Sequence, residues 1–503
     1  MDEISVRLNK PLLQRIASTL PENQTIYLVG GAIRDALLNR PFYDLDFVTP
    51  DDALKVARQV ANELDGAYFP LDTRRKIARI VFIGGDQSTE RSGKLTRVDF
   101  STYQGEDLTA DLRGRDFTIN AIAAEIHRLD ALIDPLGGAA DLISKRLVAC
   151  SPTSLVDDPV RVLRAVRFSV ELDLSIAPNT LNLIREATSR IPQVSTERIR
   201  DELFRILIQS QPSTSLRILE RLGALEHILP EVCRLKGVQQ TAPHVMDAFD
   251  HTLDLLGRLK NILQVVVGDY DPDRGGNLAM GLAALRLGRY RGLLQEYFES
   301  GLNPERPHRG LLFLAGLFHD SGKAATQKVV DEGKIRFIGH EQIGSQLVEK
   351  RGKALKLSNN EVERLVTIVS HHMRPSLLSH ENDMPSRKAI YRFFRDTGPA
   401  GVDICILSLA DLLATYGPTL PQERWARHLE VVRALLDAWW TDQSEAINPA
   451  ALIHGDDLMS ELDLPPGPEI GYFLEAIREA QASGEINSRE EAINLAKYLI
   501  RGK

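Results

Sequence analysis

The sequence predicts an α+β protein, in which a small N-terminal region with a mixed β-sheet and helices precedes a long, mainly helical remainder. Short runs rich in β-branched and aromatic residues, typical of strands, lie within residues 26–100. A glycine pair ends the first run and opens onto a helix-like segment. From residue 155 onward, apolar residues recur at the spacing that forms one face of a helix.

The length of 503 residues exceeds what one hydrophobic core supports, so three or four domains are expected. The net charge of −8 argues against indiscriminate coating of nucleic acid, although a local basic face could still bind RNA. The N-terminus is not typical of a signal peptide, and no apolar run approaches the roughly 20 residues of a membrane span. No membrane partner is therefore expected. Cys150, Cys233 and Cys405 follow no metal or disulfide spacing, which predicts a cytoplasmic protein.

The first predicted element is a short buried strand that ends in a tight turn. Ile26–Val29 is apolar, Gly30-Gly31 permits the turn, and Ala32–Leu38 has the composition of a helix. Exposed backbone N–H groups at such a helix start, at the positive end of the helix dipole, suit a phosphate. Arg34, in the first helical turn, would add charge to the same site.

Two carboxylates follow on the next predicted strand, which covers residues 44–48. Asp44 and Asp46 are two residues apart, so a strand would place both side chains on one face. Neighbouring carboxylates repel each other unless a cation neutralises them, and Mg²⁺ accepts such oxygen ligands together with substrate phosphates. The order of strand, glycine turn, helix and D-x-D strand therefore predicts a nucleotidyl-transfer site that uses Mg²⁺.

Two further strands are predicted in this region, at Arg79–Ile83 and Leu95–Phe100, with the polar loop Gly84–Lys94 between them. Asp99 on the second strand could supply a third carboxylate. An exposed strand residue without a role is the simpler interpretation of Asp99.

These features, in this order, resemble the head domain of the class II tRNA nucleotidyltransferase and bacterial poly(A) polymerase family. Residues 112–121, LRGRDFTINA, resemble the family's R-R-D-F-T-x-N-A motif, with Gly114 in place of the first arginine. The resemblance implies that Arg115 contacts the nucleotide's sugar or phosphates and that Asn120 holds the local backbone. It also implies a nucleotide site that includes Gly30, Gly31, Arg34 and Asp35.

The stretch between the last head strand and this motif departs from enzymes of the family that finish with A. Those enzymes usually carry a longer flexible loop there, whereas only Ser101–Leu112 separates the two features in this chain. The shortened stretch resembles the CC-adding branch, which adds two cytidines and stops.

A second informative stretch begins with a predicted helix start. Pro159 suits a first helical turn, and Asp157 or Asp158 suits the cap before it. Arginines then recur at every third position and would share one broad side of the helix: Arg161, Arg164 and Arg167. For a generic protein, such a side is a solvated basic face.

The same stretch resembles the family's nucleotide-selecting motif, E-D-x-x-R, with Asp157 in place of Glu. The resemblance implies that Asp158 and Arg161 present hydrogen-bonding edges to the incoming base. Arginine only donates hydrogen bonds, and aspartate accepts from an exocyclic amine, which C and A both carry. Arg164 and Arg167 would meet phosphates or the RNA end.

Histidine and aspartate recur in a particular order along the middle of the chain: His251, His319, Asp320, His340, His371, His372 and Asp411. This order resembles the HD metal-dependent phosphohydrolase superfamily, which is all-helical. The resemblance implies one metal on His251, His319, Asp320 and Asp411, and a second on His340, His371 and His372. Imidazoles with carboxylates suit a divalent transition metal or Mg²⁺. Lys323 would contact a phosphate.

The last segment resembles the tail of bacterial tRNA nucleotidyltransferases. Its Pro466–Gly471 turn precedes a predicted helix and suits an RNA phosphate, although a plain connecting turn has the same pattern. The resemblance divides the chain into a head (1–147), a neck (148–235), an HD domain (236–440) and a tRNA-binding tail (441–503).

The sequence therefore predicts template-independent addition of CCA, or of CC alone, to tRNA 3′ ends from CTP and ATP, with an HD phosphatase or phosphodiesterase activity. One alternative is an A-adding enzyme or a poly(A) polymerase, although the latter usually carries a strongly basic C-terminal extension. A second alternative is an HD phosphohydrolase with a vestigial head. A third is an RNA-binding protein without catalysis, which the intact carboxylate pair disfavours.

Overall fold

A computed structural model describes residues 7–8, 11–82, 96–268, 277–330, 333–380 and 384–501. The chain divides into two compact units. The first comprises Met1–Arg198 with Arg221–His227, and the second comprises Ile199–Glu220 with Ile228–Lys503. A mixed sheet dominates the first unit and helices dominate the second, which confirms the α+β prediction. The finer division into head, neck, HD domain and tail remains a prediction.

A mixed sheet of seven described strands forms the centre of the first unit. The strands are β1 (Tyr27–Val29), β2 (Leu45–Thr49), β3 (Ala67–Asp72), β4 (Ile77–Phe82), β5 (Thr96–Thr102), β6 (Ala123–Glu125) and β7 (Arg128–Ile133). They lie in the order β3-β4-β5-β2-β1-β6-β7. Strands β2 and β5 pair in parallel, whereas every other neighbouring pair is antiparallel. The predicted loop Gly84–Lys94 lies outside the described residues.

The helices of the first unit are α1 (Pro11–Ser18), α2 (Gly31–Leu37), α3 (Ala53–Leu64), α4 (Leu108–Arg113), α5 (Gly138–Ile143), α6 (Ser154–Asp157), α7 (Arg161–Glu171) and α8 (Pro178–Thr188). A short parallel pair joins β8 (Arg146–Leu147) to β9 (Ser175–Ile176). Helix α3 packs on β4 and β5, and the side chains buried on that face include Ala78, Ile80, Val98 and Phe100. The alternate residues of these strands, among them the predicted carboxylates, lie on the opposite face.

The start of α7 differs from the prediction. Asp157 ends α6, Asp158 has an extended backbone (φ −142°, ψ 87°), and α7 begins only at Arg161. Neither aspartate caps α7. The physical reason is Pro159, because a proline disfavours helical geometry in the residue before it and so separates the two helices.

The remaining helices are α9 (Thr196–Ile208), α10 (Pro212–Arg221), α11 (Ala224–Ile228), α12 (Pro230–Cys233), α13 (Ala248–Val266), α14 (Leu278–Leu287), α15 (Arg291–Glu299), α16 (His308–Phe318), α17 (Lys323–Thr326), α18 (His340–Ala354), α19 (Asn359–His371), α20 (Arg374–His380), α21 (Arg387–Thr397), α22 (Ala400–Tyr416), α23 (Gln422–Trp440), α24 (Gly455–Leu462), α25 (Pro468–Ser483) and α26 (Arg489–Arg501). A two-stranded ribbon pairs β10 (Lys328–Val329) with β11 (Ile335–Arg336).

Helix α22 forms part of the core of the second unit and packs against α13, α19 and α23. The stretch Ala400–Thr419 is long and apolar enough to pass a test for a membrane span, which corrects the expectation that no run approaches that length. However, 83% of an 18-residue part of this stretch is buried inside the fold, as in the core helix of a globular domain.

The three cysteines are free, with Cys233 and Cys405 buried. The cytoplasmic location inferred from them remains a prediction.

Candidate functional sites

The glycine turn after β1 lies close to two predicted site residues. Gly30 has a φ of +76°, a conformation that side chains disfavour, and α2 starts at Gly31. A Cβ atom on Gly30 would lie 3.3 Å from Arg115 Nη1 and 3.9 Å from Asp46 Oδ2. Glycine at this position therefore allows the backbone to approach both an arginine and a carboxylate.

Three carboxylates lie near this turn. Asp46 on β2 and Asp99 on β5 are partners in the parallel register, so their side chains share one face of the sheet. Asp44 immediately precedes β2 and is exposed. Arg79 on β4 donates hydrogen bonds to both oxygens of Asp99, at 2.8 and 2.9 Å. The pairing of β2 with β5 thus places Asp99 beside Asp46, which favours the third carboxylate that the sequence allowed over an exposed strand residue without a role.

The charges around Asp46 repel one another. Loss of hydration inside the recess, together with the carboxylates of Asp99 and Asp44, raises the pKa of Asp46 to about 6, although Arg115 opposes this shift. A bound divalent cation would relieve the repulsion, and carboxylate oxygens are ligands that Mg²⁺ accepts. The donor set therefore fits the metal that the D-x-D pattern predicts.

Arg34 and Asp35 pair with each other behind the glycine turn. The Nε and Nη2 groups of Arg34 donate to the two oxygens of Asp35, at 2.9 and 3.0 Å, and Nη1 donates to Asn120 Oδ1 at 2.7 Å. Arg34 is buried, and burial raises the pKa of Asp35. Three of the five guanidinium N–H groups are thus bonded to protein, and direct binding of a phosphate by Arg34 remains a prediction.

Asp116 links the R-D-F-T segment to helix α7, a role that the sequence analysis did not assign. It accepts hydrogen bonds from Arg164 Nε and Nη2 at 2.9 and 2.6 Å, from Asn120 Nδ2 at 3.0 Å and from the Phe117 amide at 2.8 Å. Burial alone would raise the pKa of Asp116, but Arg164 and Asn120 outweigh it and lower the pKa to about 2. Asn120 thus holds the local structure through Arg34 and Asp116.

Arg161 also contacts the R-D-F-T segment. Its Nη2 donates to the Gly114 carbonyl at 2.8 Å, and its Nη1 donates to the carbonyls of Arg115 and Ser154 at 3.0 and 3.1 Å. Arg115 itself forms an ion pair with Asp111 at 3.2 Å. The arginines of α7 are therefore not a solvated basic face, because they hold the backbone and carboxylates around the site.

Asp158 keeps one oxygen available. Its Oδ2 accepts a hydrogen bond from Arg198 at 2.6 Å and lies 3.6 Å from Arg161 Nε. Its Oδ1 is buried and has no hydrogen-bond partner in the described part of the chain. By contrast, Arg167 pairs with Glu171 at 3.1 Å and stacks over the Phe168 ring, with its guanidinium carbon 4.2 Å from the ring centroid. An unpartnered acceptor at Asp158 suits the exocyclic amine of a base.

Six of the seven histidines and aspartates predicted for the HD domain meet in the second unit. Two groups of three could each hold a metal, and both include Asp320: the first is His251, His319 and Asp320, and the second is Asp320, His340 and His372. Asp411 lies beside the first group, with its Oδ1 3.1 Å from His251 Nε2 and 3.8 Å from His319 Nε2.

The imidazoles of these groups are oriented by backbone carbonyls. The Nδ1 atoms of His319, His340 and His372 lie 2.8, 2.8 and 2.7 Å from the carbonyls of Gly316, Phe337 and Val369. Nδ1 must then carry the proton, which leaves a lone pair on Nε2. Each Nε2 is buried and has no hydrogen-bond partner among the described residues, and each lies within 4.0 Å of Asp320. Such buried lone pairs around a carboxylate fit a metal ion.

Electrostatics keep His372 and Asp320 in the forms that a metal requires, whereas for His319 the carboxylates of Asp320 and Asp411 outweigh burial and raise the pKa. Burial and the neighbouring His319 lower the pKa of His372 to about 3, so its imidazole is neutral. Burial alone would raise the pKa of Asp320, but His319 and Lys323 lower it well below its usual range. Lys323 Nζ donates to Asp320 Oδ2 at 2.6 Å and to Gln240 Oε1 at 2.7 Å. Lys323 is buried, so its ammonium group contacts a candidate metal ligand rather than open solvent.

His371 does not join either group of ligands in the described residues, which corrects its prediction as a metal ligand. Its Nδ1 faces Ser370 Oγ at 2.9 Å and the Thr367 carbonyl at 3.1 Å. The reason is geometric, because adjacent helical residues point about 100° apart and only His372 turns inward. His244, which the sequence analysis missed, lies with its ring centroid 5.3 Å from that of His251. Only the tertiary structure could identify it.

A cavity of about 750 Å³ opens onto these ligands. Its lining includes His371, His244 and Lys323, together with the basic side chains of Arg336, Arg374 and Arg424. The basic groups around a potential metal site suit an anionic substrate such as a phosphoester.

Three protein families match segments of the chain. The family described as the poly A polymerase head domain matches residues 26–148, and the family described as the probable RNA and SrmB-binding site of polymerase A matches residues 173–235. The HD domain family matches residues 278–416, a range that begins after His251. Both the nucleotidyltransferase and HD families are metal-dependent.

Similar proteins match over nearly the whole chain. An A-adding tRNA nucleotidyltransferase of Deinococcus radiodurans is 32% identical and covers 92% of this chain and 93% of its own length. A CC-adding tRNA nucleotidyltransferase of Thermus thermophilus is 31% identical, with 94% of each chain covered. The solved complex of a CCA-adding enzyme with ATP shares the fold, with a TM-score of 0.61 at 20% identity and coverage of 99% and 98%. The chain therefore belongs to the tRNA nucleotidyltransferase and poly(A) polymerase family and carries an HD domain of the metal-dependent phosphohydrolase family.

Proposed function

We propose that this protein adds the nucleotides of the CCA sequence to the 3′ end of tRNA, from CTP and ATP, and releases pyrophosphate. The observation that carries the proposal is the set of carboxylates Asp44, Asp46 and Asp99 beside the Gly30-Gly31 turn and Arg115. Relatives with over 90% coverage, named as A-adding and CC-adding tRNA nucleotidyltransferases, support the substrate.

Asp44 and Asp46 would hold Mg²⁺, which supplies charge stabilisation for the phosphates and activation of the attacking hydroxyl when it is bound. The RNA 3′-oxygen attacks the α-phosphorus of the nucleotide, the bond to the β-phosphate oxygen breaks, and pyrophosphate leaves. Arg115 positions the sugar or phosphates. Five residues act indirectly in this proposal, because their polar or charged side chains bind other protein groups: Arg34, Asp35, Asn120, Arg164 and Arg167.

Asp158 selects the base in this proposal. Its unpartnered Oδ1 accepts a hydrogen bond from the exocyclic amine of cytosine or adenine, and Arg161 holds the adjacent backbone. Uracil lacks that amine and leaves the buried oxygen unsatisfied, which disfavours it.

A second candidate is addition of CC alone. Strand β5 ends at Thr102 and α4 begins at Leu108, so residues 103–107 are all that connects them. Relatives named as CC-adding are 31% identical, which is close to the 32% of the A-adding relative, so identity does not separate the products.

Nucleotide addition on three tRNAs tests both candidates. The tRNAs end before CCA, in C and in CC, and each receives CTP, ATP or both, with products resolved to one nucleotide. Completion to CCA supports the first candidate, and a halt at CC with ATP present supports the second. Addition of A only to the tRNA that ends in CC identifies an A-adding enzyme. Long A tracts identify a poly(A) polymerase, and no addition refutes the transferase proposal.

We propose that the HD domain hydrolyses phosphoesters with a divalent transition metal or Mg²⁺ held by His251, His319, Asp320 and Asp411, and by His340 and His372. Such an ion supplies an activated water and charge stabilisation when bound. The basic lining of the cavity would hold the phosphate. RNA that ends in a 3′-phosphate or a 2′,3′-cyclic phosphate, incubated with Mn²⁺, Ni²⁺, Co²⁺ or Mg²⁺, is expected to release phosphate or open the ring. No hydrolysis with any of these ions would refute the proposal.

A further inference from the structure

The sheet face that carries Asp46 continues to the edge strand β3. The pairing registers place Phe69, Arg79, Asp99 and Asp46 in one row across β3, β4, β5 and β2. Residues paired across strands point to the same face, so Phe69 shares the face of the carboxylates. Three strand spacings of about 4.8 Å separate Phe69 from Asp46 by roughly 14 Å. Phe69 is 49% exposed.

In-line transfer determines on which side of β2 the RNA lies. Strand β1, which leads into the Gly30-Gly31 turn, neighbours β2 on one side, and β5 neighbours it on the other. The proposed function puts the leaving pyrophosphate at the glycine turn. The attacking 3′-oxygen lies opposite the leaving group, hence on the side of β5. The RNA strand behind that oxygen then passes over β5, β4 and β3.

We propose that Phe69 is a stacking platform for a base close to the 3′ end of the RNA substrate, an inference that rests on the proposed function. Exposed aromatic rings stack on any base, because every base has a π-face. The distance from Asp46 places this base behind the terminal nucleotide. Leu71, on the same strand, is also exposed, at 51%.

The turn between β3 and β4 supplies positive charge at the end of the strand that carries Phe69. Arg74, Arg75 and Lys76 are all exposed. Arg75 lies 4.0 Å from Asp72 and Lys76 lies 3.6 Å from Asp52, and such exposed ion pairs are weak. This basic turn favours an RNA backbone over an apolar protein segment as the occupant of the face.

The test measures steady-state addition of CMP to tRNA by the full-length protein and its Phe69→Ala variant. We expect the KM for tRNA to rise about tenfold, which corresponds to the usual binding free energy of one base stacked on an aromatic ring. The KM for CTP and kcat are expected to stay within twofold. Phe69→Trp retains the stack and keeps the KM for tRNA. The matched control is Ile143→Ala, which truncates another exposed apolar side chain of the first unit.

Phe69→Trp gives a second readout that does not depend on the folding of the alanine variant. All three natural tryptophans lie in the second unit, so the introduced indole reports on this face alone. tRNA is expected to quench the added emission. An unchanged KM for tRNA in Phe69→Ala, or no quenching of the introduced indole by tRNA that the protein extends, would overturn the inference. The unmodified protein is assayed in parallel. If it extends no tRNA, the proposed function is wrong; if it extends tRNA and Phe69→Ala does so with the same KM, only the role of Phe69 is wrong.

Discussion

The head site and the HD site hold their charged groups in opposite ways. In the HD site, backbone carbonyls orient His319, His340 and His372, and their buried Nε2 atoms surround Asp320. In the head, the arginines are tied to protein groups, while Asp44 stays exposed and Asp46 lies beside Asp99 of the neighbouring strand. A metal site built wholly from protein needs every ligand in place beforehand. A site that shares its cation with substrate phosphates needs only a few carboxylates on a rigid frame.

The substitution with the largest expected effect distinguishes the activity of the head site from that of the HD site. Asp46→Asn is expected to lower nucleotide addition by roughly a thousandfold or more, because it removes a charged metal ligand at the reacting phosphate. Phosphate release from RNA with a 3′-phosphate is expected to stay within twofold. Asp130→Asn on the exposed edge strand β7 is the matched control. Loss of both activities in Asp46→Asn would show that the sites do not work independently.

The rigidity of the head frame is tested at Asp116. Arg164→Ala leaves a buried carboxylate without its cation and is expected to destabilise this region by about 3 kcal/mol. Hydrogen exchange of peptides from residues 26–148 measures this, since all tryptophans lie in the second unit. A double variant, Asp116→Asn with Arg164→Ala, should recover part of the loss. If the peptides of Arg164→Ala exchange hydrogen as slowly as those of the unmodified protein, the ion pair between Asp116 and Arg164 does not stabilise the head.

The same ion pair predicts a pH dependence. The pKa of Asp116 is about 2 in the folded protein and 3.8 without the fold, so the folded state binds fewer protons between these values. Its stabilisation is complete above pH 3.8 and is lost as the pH falls towards 2. Exchange protection of the head is expected to fall over this window, and less steeply in Asp116→Asn. If exchange protection falls equally steeply with pH in Asp116→Asn and in the unmodified protein, another group governs the acid sensitivity.

The preassembled HD cage is tested by two adjacent histidines. His372→Ala removes a ligand and is expected to lower metal affinity and phosphoester hydrolysis by roughly a hundredfold. His371→Ala, which leaves both ligand groups intact, is expected to retain the full metal content. Elemental analysis after dialysis measures the bound metal. If the two variants lose the same amount of metal, the assignment of His372 over His371 is wrong.

The smallest expected effect concerns base selection in the head. Asp158→Asn keeps one oxygen but removes the charge, and we expect about a tenfold loss of discrimination between CTP and UTP. Incorporation of each nucleotide, as the ratio of kcat/KM values, measures this. Asp130→Asn, at an exposed position on β7, is the control. If Asp158→Asn discriminates between CTP and UTP as well as the unmodified protein does, other groups select the base.

Local patterns in the sequence determined the strand–turn–helix start, the D-x-D strand and the presence of a helix in the last segment near residue 470, because short-range spacing and turn chemistry specify them. They also determined which histidines and aspartates belong to the HD set, apart from His371. Both family assignments were within reach of the sequence, since the head motifs are short and contiguous and the HD residues recur in a characteristic order.

Tertiary structure alone decided how the charges pair. The parallel pairing of β2 with β5 brings Asp99 beside Asp46, and Asp116 meets Arg164 across 48 positions of sequence. The arginines of α7 looked like a basic surface until these partners were known. The spacing of residues along the chain indicates on which face of a helix or strand each side chain lies. It carries no information on which distant carboxylate or carbonyl lies opposite, because that depends on strand order and helix packing.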